Sequence, residues 1–443
     1  MNIDAESREI LRYISQDFVM LTAGSKEMAY HIASGDLIGQ KGFVKYCSKH
    51  YGDLTILNAD GGEERCASGA IWWTWNDPMQ RVARRLVMEP TSKSEAEDNP
   101  EVFNLWHQRK LTMCPPCIDA TIDDIAPLLD HLMYISDGDQ VVVMYFLNWL
   151  AQLYQTPEIK IPAAILMYSK FGGVGKSMLY KLLAAVFGKC MVGSCSGRAL
   201  TKSFDDVTEH KRILMINEMA RSEKADGYEN FKNMISEEDT SFEGKGRAAK
   251  DIRNITHYIV TTNNLGALPL MQGDRRIAVF RCDAERRPDS YYVEFSRWIE
   301  GDGPELVAGV LAQWKFPADW NPYAPVPQTE AAKQMQKESR GNLTALLDDL
   351  IAEHRAPFDR DFGRVMDLNM QLNTLYANNL LRGVPLNNRT LPQSLGVLGA
   401  KQRVIAHTDK DGNYATSRIW IWRNLEKWMN ASGQEMYDLM TAQ

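Results

Sequence analysis

The chain has 443 residues, a formal net charge of −7, and a composition that is 44% hydrophobic and 24% charged. This length is too great for one ordinary hydrophobic core and indicates roughly two or three globular domains. The acidic balance excludes a protein that coats nucleic acid with its whole surface, but it leaves room for a cleft or ring with a local positive lining.

The sequence has no membrane or export pattern. No window reaches the roughly 18 uninterrupted apolar residues of a membrane span, and the acidic start from Met1 to Glu9 is unlike an export signal. The seven scattered cysteines argue against a disulfide framework, so we expect a protein of the reducing cytoplasm. Cys114 and Cys117 have the spacing of half a zinc site, but no matching pair follows, and two reduced thiols are the favoured interpretation.

Residues 1–100 have a mixed α/β pattern, and we interpret them as an accessory or oligomerisation region. Trp72, Trp73 and Trp75 cluster within it and could stack on nucleic-acid bases. Because tryptophan is mostly buried, packing in a core or a subunit contact is the favoured interpretation. The polar residues 89–100 are typical of a linker.

Residues 101–160 are expected to form a helical, collar-like segment. Helical periodicity is found at about 121–134 and 140–154. The second pattern is apolar nearly all round, and it therefore predicts a buried helix just before the next domain.

The most informative stretch begins with an apolar run of strand length, residues 163–168, which leads through a glycine-rich turn into an amphipathic helical pattern. Glycines let the backbone curl so that its N–H groups face phosphate oxygens, and the following helix adds its positive amino-terminal end. The predicted nucleotide-binding residues are Gly172, Gly173, Val174, Gly175, Lys176 and Ser177. Lys176 would reach the β- and γ-phosphates of ATP, and Ser177 would hold Mg²⁺. Lys170 replaces the first glycine of the usual pattern, and an ordinary strand-to-helix turn is the alternative interpretation.

A second apolar run, residues 210–219, ends on polar side chains. At the carboxyl end of a parallel strand, Glu218 would orient and deprotonate an attacking water. Asn217 stands where an aspartate would help to hold the metal, and its amide oxygen is a weaker, uncharged ligand. A buried strand followed by a surface glutamate is the alternative.

The glycine-centred stretch 240–251 predicts a hairpin or loop that carries Lys245, Arg247 and Lys250 outward. Three positive side chains on such a tip could contact the phosphates of DNA. Taken alone, the stretch is slightly better explained as a solvated loop.

A β-branched run over residues 255–264 predicts another strand of the same sheet, whose end carries Asn263 near a γ-phosphate. Arg275 and Arg276 precede a further strand. If subunits form a ring, one of these arginines can enter the site of the neighbouring subunit and neutralise charge on the transferred phosphoryl group. A surface salt bridge is the alternative for each arginine.

The remaining chain is predicted to be mostly helical and to end in a hairpin. The helical patterns cover residues 291–299, 305–314, 329–353 and 391–398, and the hairpin strands cover 402–408 and 414–422. The Asp411-Gly412 turn between alternating runs is a strong hairpin signal. Helices followed by a hairpin suggest a winged-helix-like module over 341–443, which would bind DNA or pack against the preceding domain.

The order of these motifs resembles that of the superfamily 3 helicases of viruses and mobile elements. The likeness is greatest to the helicase part of phage primase-helicases related to the poxvirus primase-helicase, and it covers approximately residues 100–340. The segments that carry it are Phe103–Trp106, Lys176-Ser177, Phe242–Arg247, Thr261–Asn263, Gly273–Arg276 and Pro327–Ala332.

This resemblance implies an α/β fold with an AAA+ type P-loop core, built on a central parallel sheet, over residues 161–340. The mixed amino-terminal region and the winged-helix-like module would flank that core. It also implies a homohexameric ring that uses ATP and Mg²⁺ to translocate 3′ to 5′ on single-stranded DNA and to unwind forked DNA during replication in a bacterial host.

The resemblance also assigns roles by position. Those roles are phosphate and metal binding for Lys176 and Ser177, catalytic acid for Glu218, sensor for Asn263, arginine finger for Arg275 or next Arg276, an extra motif for Lys232, and DNA contact for Lys245. The first hundred residues contain no primase signature, so a separate primase would supply priming.

Two other classes of protein stay open. A small-molecule P-loop kinase would share the glycine-rich loop, but it has no use for the Asn263 strand end followed by an arginine that acts on a neighbour. A nucleotide-switched DNA-binding scaffold or loader would bind ATP and DNA without unwinding, and Lys170 and Asn217 are compatible with its slow hydrolysis.

Overall fold

A computed structural model of the chain describes residues 2–22, 26–57, 62–197, 208–217, 225–242, 250–264, 274–339, 342–377, 390–409 and 412–441. Within these ranges the fold is mixed α/β, and its largest sheet has five parallel strands. The predicted α/β class and the central parallel sheet are therefore confirmed. The assignment of that sheet to an AAA+ core stays a prediction, as do the four domain boundaries.

The amino-terminal region combines small, mostly antiparallel sheets with three α-helices among its described residues. Its elements are β1 (Asn2–Ile3), α1 (Ala5–Asp17), β2 (Phe18–Leu21), β3 (Met28–His31), β4 (Leu37–Ile38), α2 (Gln40–His50), β5 (Asp53–Leu57), β6 (Glu63–Ala67), α3 (Ser68–Trp73), β7 (Val82–Ala83) and β8 (Arg85–Val87). Trp72 is fully buried in the core of this region, and its indole N–H donates to Ser15 Oγ at 2.8 Å. The packing interpretation of the tryptophan cluster is thus confirmed for Trp72.

Residues 89–100 are packed against the chain that follows them. β8 pairs in parallel with β9 (Val102–Asn104), and Trp106 Nε1 donates to the carbonyl of Thr91 at 2.7 Å. His107 Nε2 lies 2.8 Å from an oxygen of Asp98. The segment predicted to be a linker is therefore held in place, because Trp106 and His107, a few residues further along the chain, bind it.

The helical segment leads into the central sheet. It contains α4 (Leu105–Lys110), α5 (Ala126–Ile135) and α6 (Gln140–Gln155). The α6 helix begins after Asp139, whose carboxylate accepts the N–H groups of Val141 and Val142 at 3.0 and 3.2 Å. Eleven of its sixteen residues are buried, which confirms the predicted buried helix.

The central sheet has the strand order β11-β12-β15-β10-β16. The elements of this region are β10 (Ala164–Ser169), α7 (Lys176–Phe187), β11 (Val192–Ser196), β12 (Ile213–Asn217), α8 (Ala225–Ser236), β13 (Asp239–Phe242), β14 (Lys250–Arg253), β15 (His257–Thr262) and β16 (Ile277–Cys282). All six residues of β10 are buried, because strands flank it on both sides and helices cover both faces. β13 and β14 form a separate antiparallel pair, as predicted for a hairpin.

The carboxyl-terminal third is mostly helical and contains a three-stranded sheet. Its elements are α9 (Asp289–Glu300), α10 (Gly303–Ala312), α11 (Glu330–Ser339), α12 (Asn342–Ala352), β17 (Phe362–Gly363), α13 (Val365–Ala377), α14 (Thr390–Val397), β18 (Lys401–Thr408), β19 (Tyr414–Ile421), α15 (Leu425–Asn430) and α16 (Gly433–Thr441). The predicted hairpin is confirmed by the pairing of β18 with β19, and β17 adds a third strand that the sequence did not indicate. The winged-helix interpretation stays a prediction.

Candidate functional site

The site is built around the loop between β10 and α7. Gly173 and Gly175 have φ values of +76° and +95°, a left-handed conformation that glycine adopts without steric cost. Gly175 is the N-cap residue of α7, so the loop leads directly into the amino terminus of that helix. Val174 is buried, whereas Gly172 and Ser177 are exposed. This is the strand, glycine loop and helix that the sequence predicts.

Lys176 and Asn263 come together at the carboxyl edge of the sheet. The Lys176 ammonium donates to the hydroxyl of Ser169, to the Thr262 carbonyl at 3.3 Å and to Asn263 Oδ1 at 3.4 Å. Asn263 in turn donates through Nδ2 to the carbonyl oxygens of Ser169 at 2.7 Å and of Phe171 at 3.0 Å. The ends of two neighbouring parallel strands thus hold one amide and one ammonium against the loop.

The electrostatic balance at Lys176 favours an anion. Each of its three hydrogen-bond acceptors is uncharged. Burial of the ammonium lowers the pKa of Lys176 to about 8, because removal from water disfavours the charged form. An anion beside this group would supply the missing opposite charge and raise its pKa again.

Asn217 lies at the end of β12, two strands away from β10. Its amide Nδ2 donates to Ser194 Oγ at 2.7 Å, and its Oδ1 accepts the hydroxyl of Thr261 at 3.1 Å. These bonds fix the amide at the same edge of the sheet as the loop. Glu218, the next residue, lies outside the described residues.

Arg275 and Arg276 lie at the amino ends of the parallel strands, whereas the loop lies at their carboxyl ends. β16 runs parallel to β10, and Ile277 stands beside Ala164 at the start of both strands. Arg275 and Arg276 precede β16, so the length of a six-residue strand, ~20 Å, separates them from the loop of their own chain. Contact with that loop is therefore excluded within one chain, whereas contact with the loop of another subunit is geometrically open.

The two arginines differ in their surroundings. Arg276 is half-buried, and its Nε donates to Ser236 Oγ at 2.7 Å. Arg275 is exposed, and its carbonyl oxygen accepts the N–H of Val326 at 3.0 Å. Arg275 therefore has the more accessible guanidinium.

The predicted DNA-contacting residues are only partly described. Lys232 is half-buried on α8, and Lys250 is the first residue of β14. Lys245 and Arg247 lie outside the described residues.

His131, which the sequence analysis did not identify, contacts the backbone of the glycine loop. His131 on α5 is fully buried, its Nε2 lies 3.2 Å from the Gly175 carbonyl oxygen, and its Nδ1 lies 2.9 Å from the Tyr291 hydroxyl. Burial lowers the pKa of His131 to about 4, so the ring is neutral at pH 7. The consistent tautomer donates from Nε2 to Gly175 and accepts the Tyr291 hydroxyl at Nδ1.

The segment that leads from β16 into α9 packs against α5 beside the glycine loop. The Arg287 guanidinium lies 4.4 Å from the ring centres of both Tyr134 and Tyr291 and forms an ion pair with Asp130. Tyr134 also donates its hydroxyl to the Glu285 carbonyl at 2.9 Å. These contacts fasten the segment after β16 to α5, beside the glycine loop.

Across the described ranges, no group of three or more His, Cys, Asp or Glu side chains is arranged to hold a metal ion. Cys114 and Cys117 are both free thiols. None of the helices described above has the length and apolar character needed to cross a bilayer.

The chain is similar in part to a family model and to a phage protein. A family model described as a family of unknown function (DUF5906) matches residues 167–276, which include the loop, Asn217 and Asn263. A DNA primase-polymerase of Nitratiruptor phage NrS-1 is 26% identical over 191 residues, which are 42% of this chain and 26% of that relative. The aligned part is thus about a quarter of the relative's length.

The fold is similar to that of solved structures of an NrS-1 C-terminal region. An apo structure of the NrS-1 C-terminal region has a TM-score of 0.58 and 17% identity, and the match covers 90% of this chain and 87% of that one. A second apo form has a TM-score of 0.57 and 16% identity, with the same coverage. The chain is therefore similar in fold to the C-terminal region of the NrS-1 protein and similar in sequence to part of the phage primase-polymerase.

Proposed function

We propose that this chain is an ATP-hydrolysing DNA helicase that acts in the replication of a phage or another mobile element. The observation that carries the proposal is the convergence of Lys176 and Asn263 on the left-handed glycine loop, with only uncharged acceptors around the ammonium. Open parallel sheets bind ligands beyond the carboxyl ends of their strands where the strand order reverses. The strand order reverses at β10. From β10 the chain passes to β11 at one edge of the sheet and returns through β12 and β15, and β16 is then added on the other side of β10.

Each residue of this edge has a role in the proposed reaction. The N–H groups of the loop and the Lys176 ammonium bind the phosphates of ATP. The phosphates supply the negative charge that the acceptors around the ammonium do not. Asn263 orients the attacking water, and Glu218 accepts its proton. The role of Glu218 comes from the sequence, because this residue lies outside the described residues.

Mg²⁺ fits the polar groups at this edge. Ser177 is exposed in the first turn of α7, and Asn217 is held at the end of β12. Magnesium usually takes only one or two protein ligands and keeps water and phosphate oxygens for the rest. When bound, the ion would neutralise charge on the phosphates, and Ser177 and Asn217 would hold it.

The proposal includes assembly and DNA contact. A homohexameric ring would bring Arg275 of one subunit to the loop of the next. Arg275 is too far from the loop of its own chain to reach it, so its proposed role requires a neighbouring subunit. Lys232, Lys245, Arg247 and Lys250 would contact the backbone of single-stranded DNA, and a separate primase would act alongside. The similarity to a phage DNA primase-polymerase supports DNA as the substrate and replication as the process.

One observation favours a second candidate, a nucleotide-switched DNA loader without unwinding activity. Both polar atoms of Asn217 already have partners in the same chain, Ser194 and Thr261. An uncharged side chain engaged in this way is a weaker metal ligand than a carboxylate, and slow hydrolysis would follow.

Strand separation distinguishes the two candidates. The test is release of a labelled strand from a forked duplex by the full chain with ATP, with ADP, and with the Lys176→Ala variant. A helicase releases the strand only with ATP and intact Lys176. ATP-dependent binding to the fork without strand release would reject the helicase and support the loader.

A further inference from the structure

Arg286, in the segment between β16 and α9, lies against the glycine loop. The Cδ and Nε atoms of Arg286 lie 3.2 Å from the position that a Cβ on Gly173 would take. Its guanidinium is 5.1 Å from the ring centre of Tyr292, and a Tyr292 ring carbon lies 3.2 Å from the corresponding position on Gly175. Arg286 and Tyr292 therefore flank both left-handed glycines of the loop.

The present partner of Arg286 is a surface carboxylate. Arg286 Nη2 lies 2.5 Å from Asp289 Oδ1, and the two side chains are 53% and 80% exposed. Ion pairs this exposed contribute little to stability, since water screens both charges. The guanidinium can therefore exchange Asp289 for another anion at small cost.

The adjacent arginine has a different environment. Arg287 is enclosed by Asp130 and by the rings of Tyr134 and Tyr291, and its side chain is 31% exposed. Those contacts join α5 to the start of α9, so Arg287 has a structural task. Of these two arginines, Arg286 is the one whose side chain lies beside the loop, and its ion-pair partner is exchangeable.

We propose that Arg286 contacts a phosphate of the nucleotide bound by its own chain and gives up Asp289 when it does so. This inference rests on the proposed nucleotide site. A guanidinium presents paired N–H donors that match phosphate oxygens, and such charge-assisted bonds are about twice as strong as neutral ones. Arg286 would act within one chain, whereas Arg275 would act on a neighbouring subunit.

The proposal predicts opposite effects for the two members of the ion pair. Arg286→Ala removes the phosphate contact and weakens binding of a fluorescent ATP analogue by about tenfold. Asp289→Asn removes the competing carboxylate and tightens binding by up to about fivefold. The double variant should bind as weakly as Arg286→Ala, because the released arginine is no longer present.

The experiment is a fluorescence titration of the full chain, with thermal unfolding to confirm that each variant is folded. Arg297→Ala is the matched control, since Arg297 is an exposed arginine on α9, and it should bind like wild type. If Arg286 only stabilises the start of α9, Arg286→Ala and Asp289→Asn will weaken binding equally, which overturns the proposal. Normal binding by Arg286→Ala also overturns it but leaves the nucleotide site intact, whereas lack of binding by wild type overturns both.

Discussion

The imidazole of His131 links two helices to the glycine loop: its Nε2 lies 3.2 Å from the Gly175 carbonyl oxygen, and its Nδ1 lies 2.9 Å from the Tyr291 hydroxyl. His131 belongs to α5, which precedes the central sheet, and Tyr291 belongs to α9, which follows it. The helical segment before the sheet thus takes part in shaping the candidate site. A loop held in this way is positioned before any ligand arrives.

Replacing His131 by phenylalanine tests this positioning role. Phenylalanine preserves the ring packing against Phe295, whose centroid lies 4.6 Å from that of His131, but it removes the two hydrogen bonds of the imidazole, to the Gly175 carbonyl and the Tyr291 hydroxyl. We expect ATP to bind about tenfold more weakly, because the loop loses the hydrogen bonds that join it to α5 and α9. Fluorescence titration measures the change.

His131→Gln provides the control for that experiment. Its amide can still donate to Gly175, so binding should lie between the values for wild type and His131→Phe. Equal ATP affinity in all three proteins would show that the histidine does not position the loop.

Two buried histidines should make the protein less stable in mild acid. Burial lowers the pKa of His131 to about 4 and that of His257 well below its usual range. Between pH 6.5 and 4 the unfolded chain binds protons at these rings that the folded chain does not, so stability falls as pH falls through that window. For His131 the loss reaches about 3 kcal/mol at pH 4. Thermal unfolding at pH 7.5 and pH 5 measures the effect.

The His131→Phe variant separates the contribution of one ring. It should lose less of its Tm between pH 7.5 and 5 than wild type does, since the contribution of the His131 ring is then absent and that of His257 remains. An identical loss in the two proteins would mean that His131 does not carry the predicted acid sensitivity.

The loop glycines should differ sharply in their tolerance of a methyl group. At Gly175, φ is +95° and a Cβ would lie 2.6 Å from His131 Cε1, whereas at Gly172 no atom lies within 4 Å. We expect Gly175→Ala to lower the free energy of unfolding by roughly 1–3 kcal/mol and to abolish ATP binding. Gly172→Ala should change the free energy of unfolding by less than about 0.5 kcal/mol. Chemical denaturation compares the two, and equal stabilities would contradict the described loop.

The paired arginines allow a test of action between subunits. Arg275→Ala should bind ATP normally but hydrolyse it at least about a thousandfold more slowly, since an arginine finger acts on the transition state. Arg276→Ala should instead lower stability, because the Arg276 guanidinium donates to Ser236. Steady-state hydrolysis and thermal unfolding measure the two effects.

Mixing inactive proteins sharpens that test. Arg275→Ala retains an intact loop, and Lys176→Ala retains the arginine, so mixed assemblies contain complete sites at some interfaces. Hydrolysis should reappear when the two are combined. If mixtures stay inactive while both variants assemble with each other, Arg275 does not act on a neighbouring subunit.

The sequence predicted the parts of this site that are local in the chain. The strand, loop and helix from residue 164 to 187 follow from an apolar run, glycines and helical periodicity, and Asn263 follows from a strand that ends in polar residues. His131 was missed because it lies within the apolar pattern of α5, 44 residues before Gly175. Ser169 was missed because only the folded sheet brings its hydroxyl to Lys176 and Asn263.

The errors in the fold have a similar cause. Residues 89–100 are polar and resemble a linker in composition, yet Trp106 and His107 bind them from the following helix. β17 is only two residues long and forms through pairing with β19, a partner far along the chain. Local pattern does not report such contacts, and a two-residue strand has too little periodicity to be recognised.

The most direct test of a DNA-dependent motor is the ATPase rate of the full chain with and without single-stranded DNA, for wild type and Lys176→Ala. We expect hydrolysis that DNA stimulates in wild type and that is absent in the variant, because the Lys176 ammonium is the charge that the loop presents to phosphate. Hydrolysis that is unaffected by loss of Lys176, or by DNA, would contradict a DNA-dependent motor built on this loop.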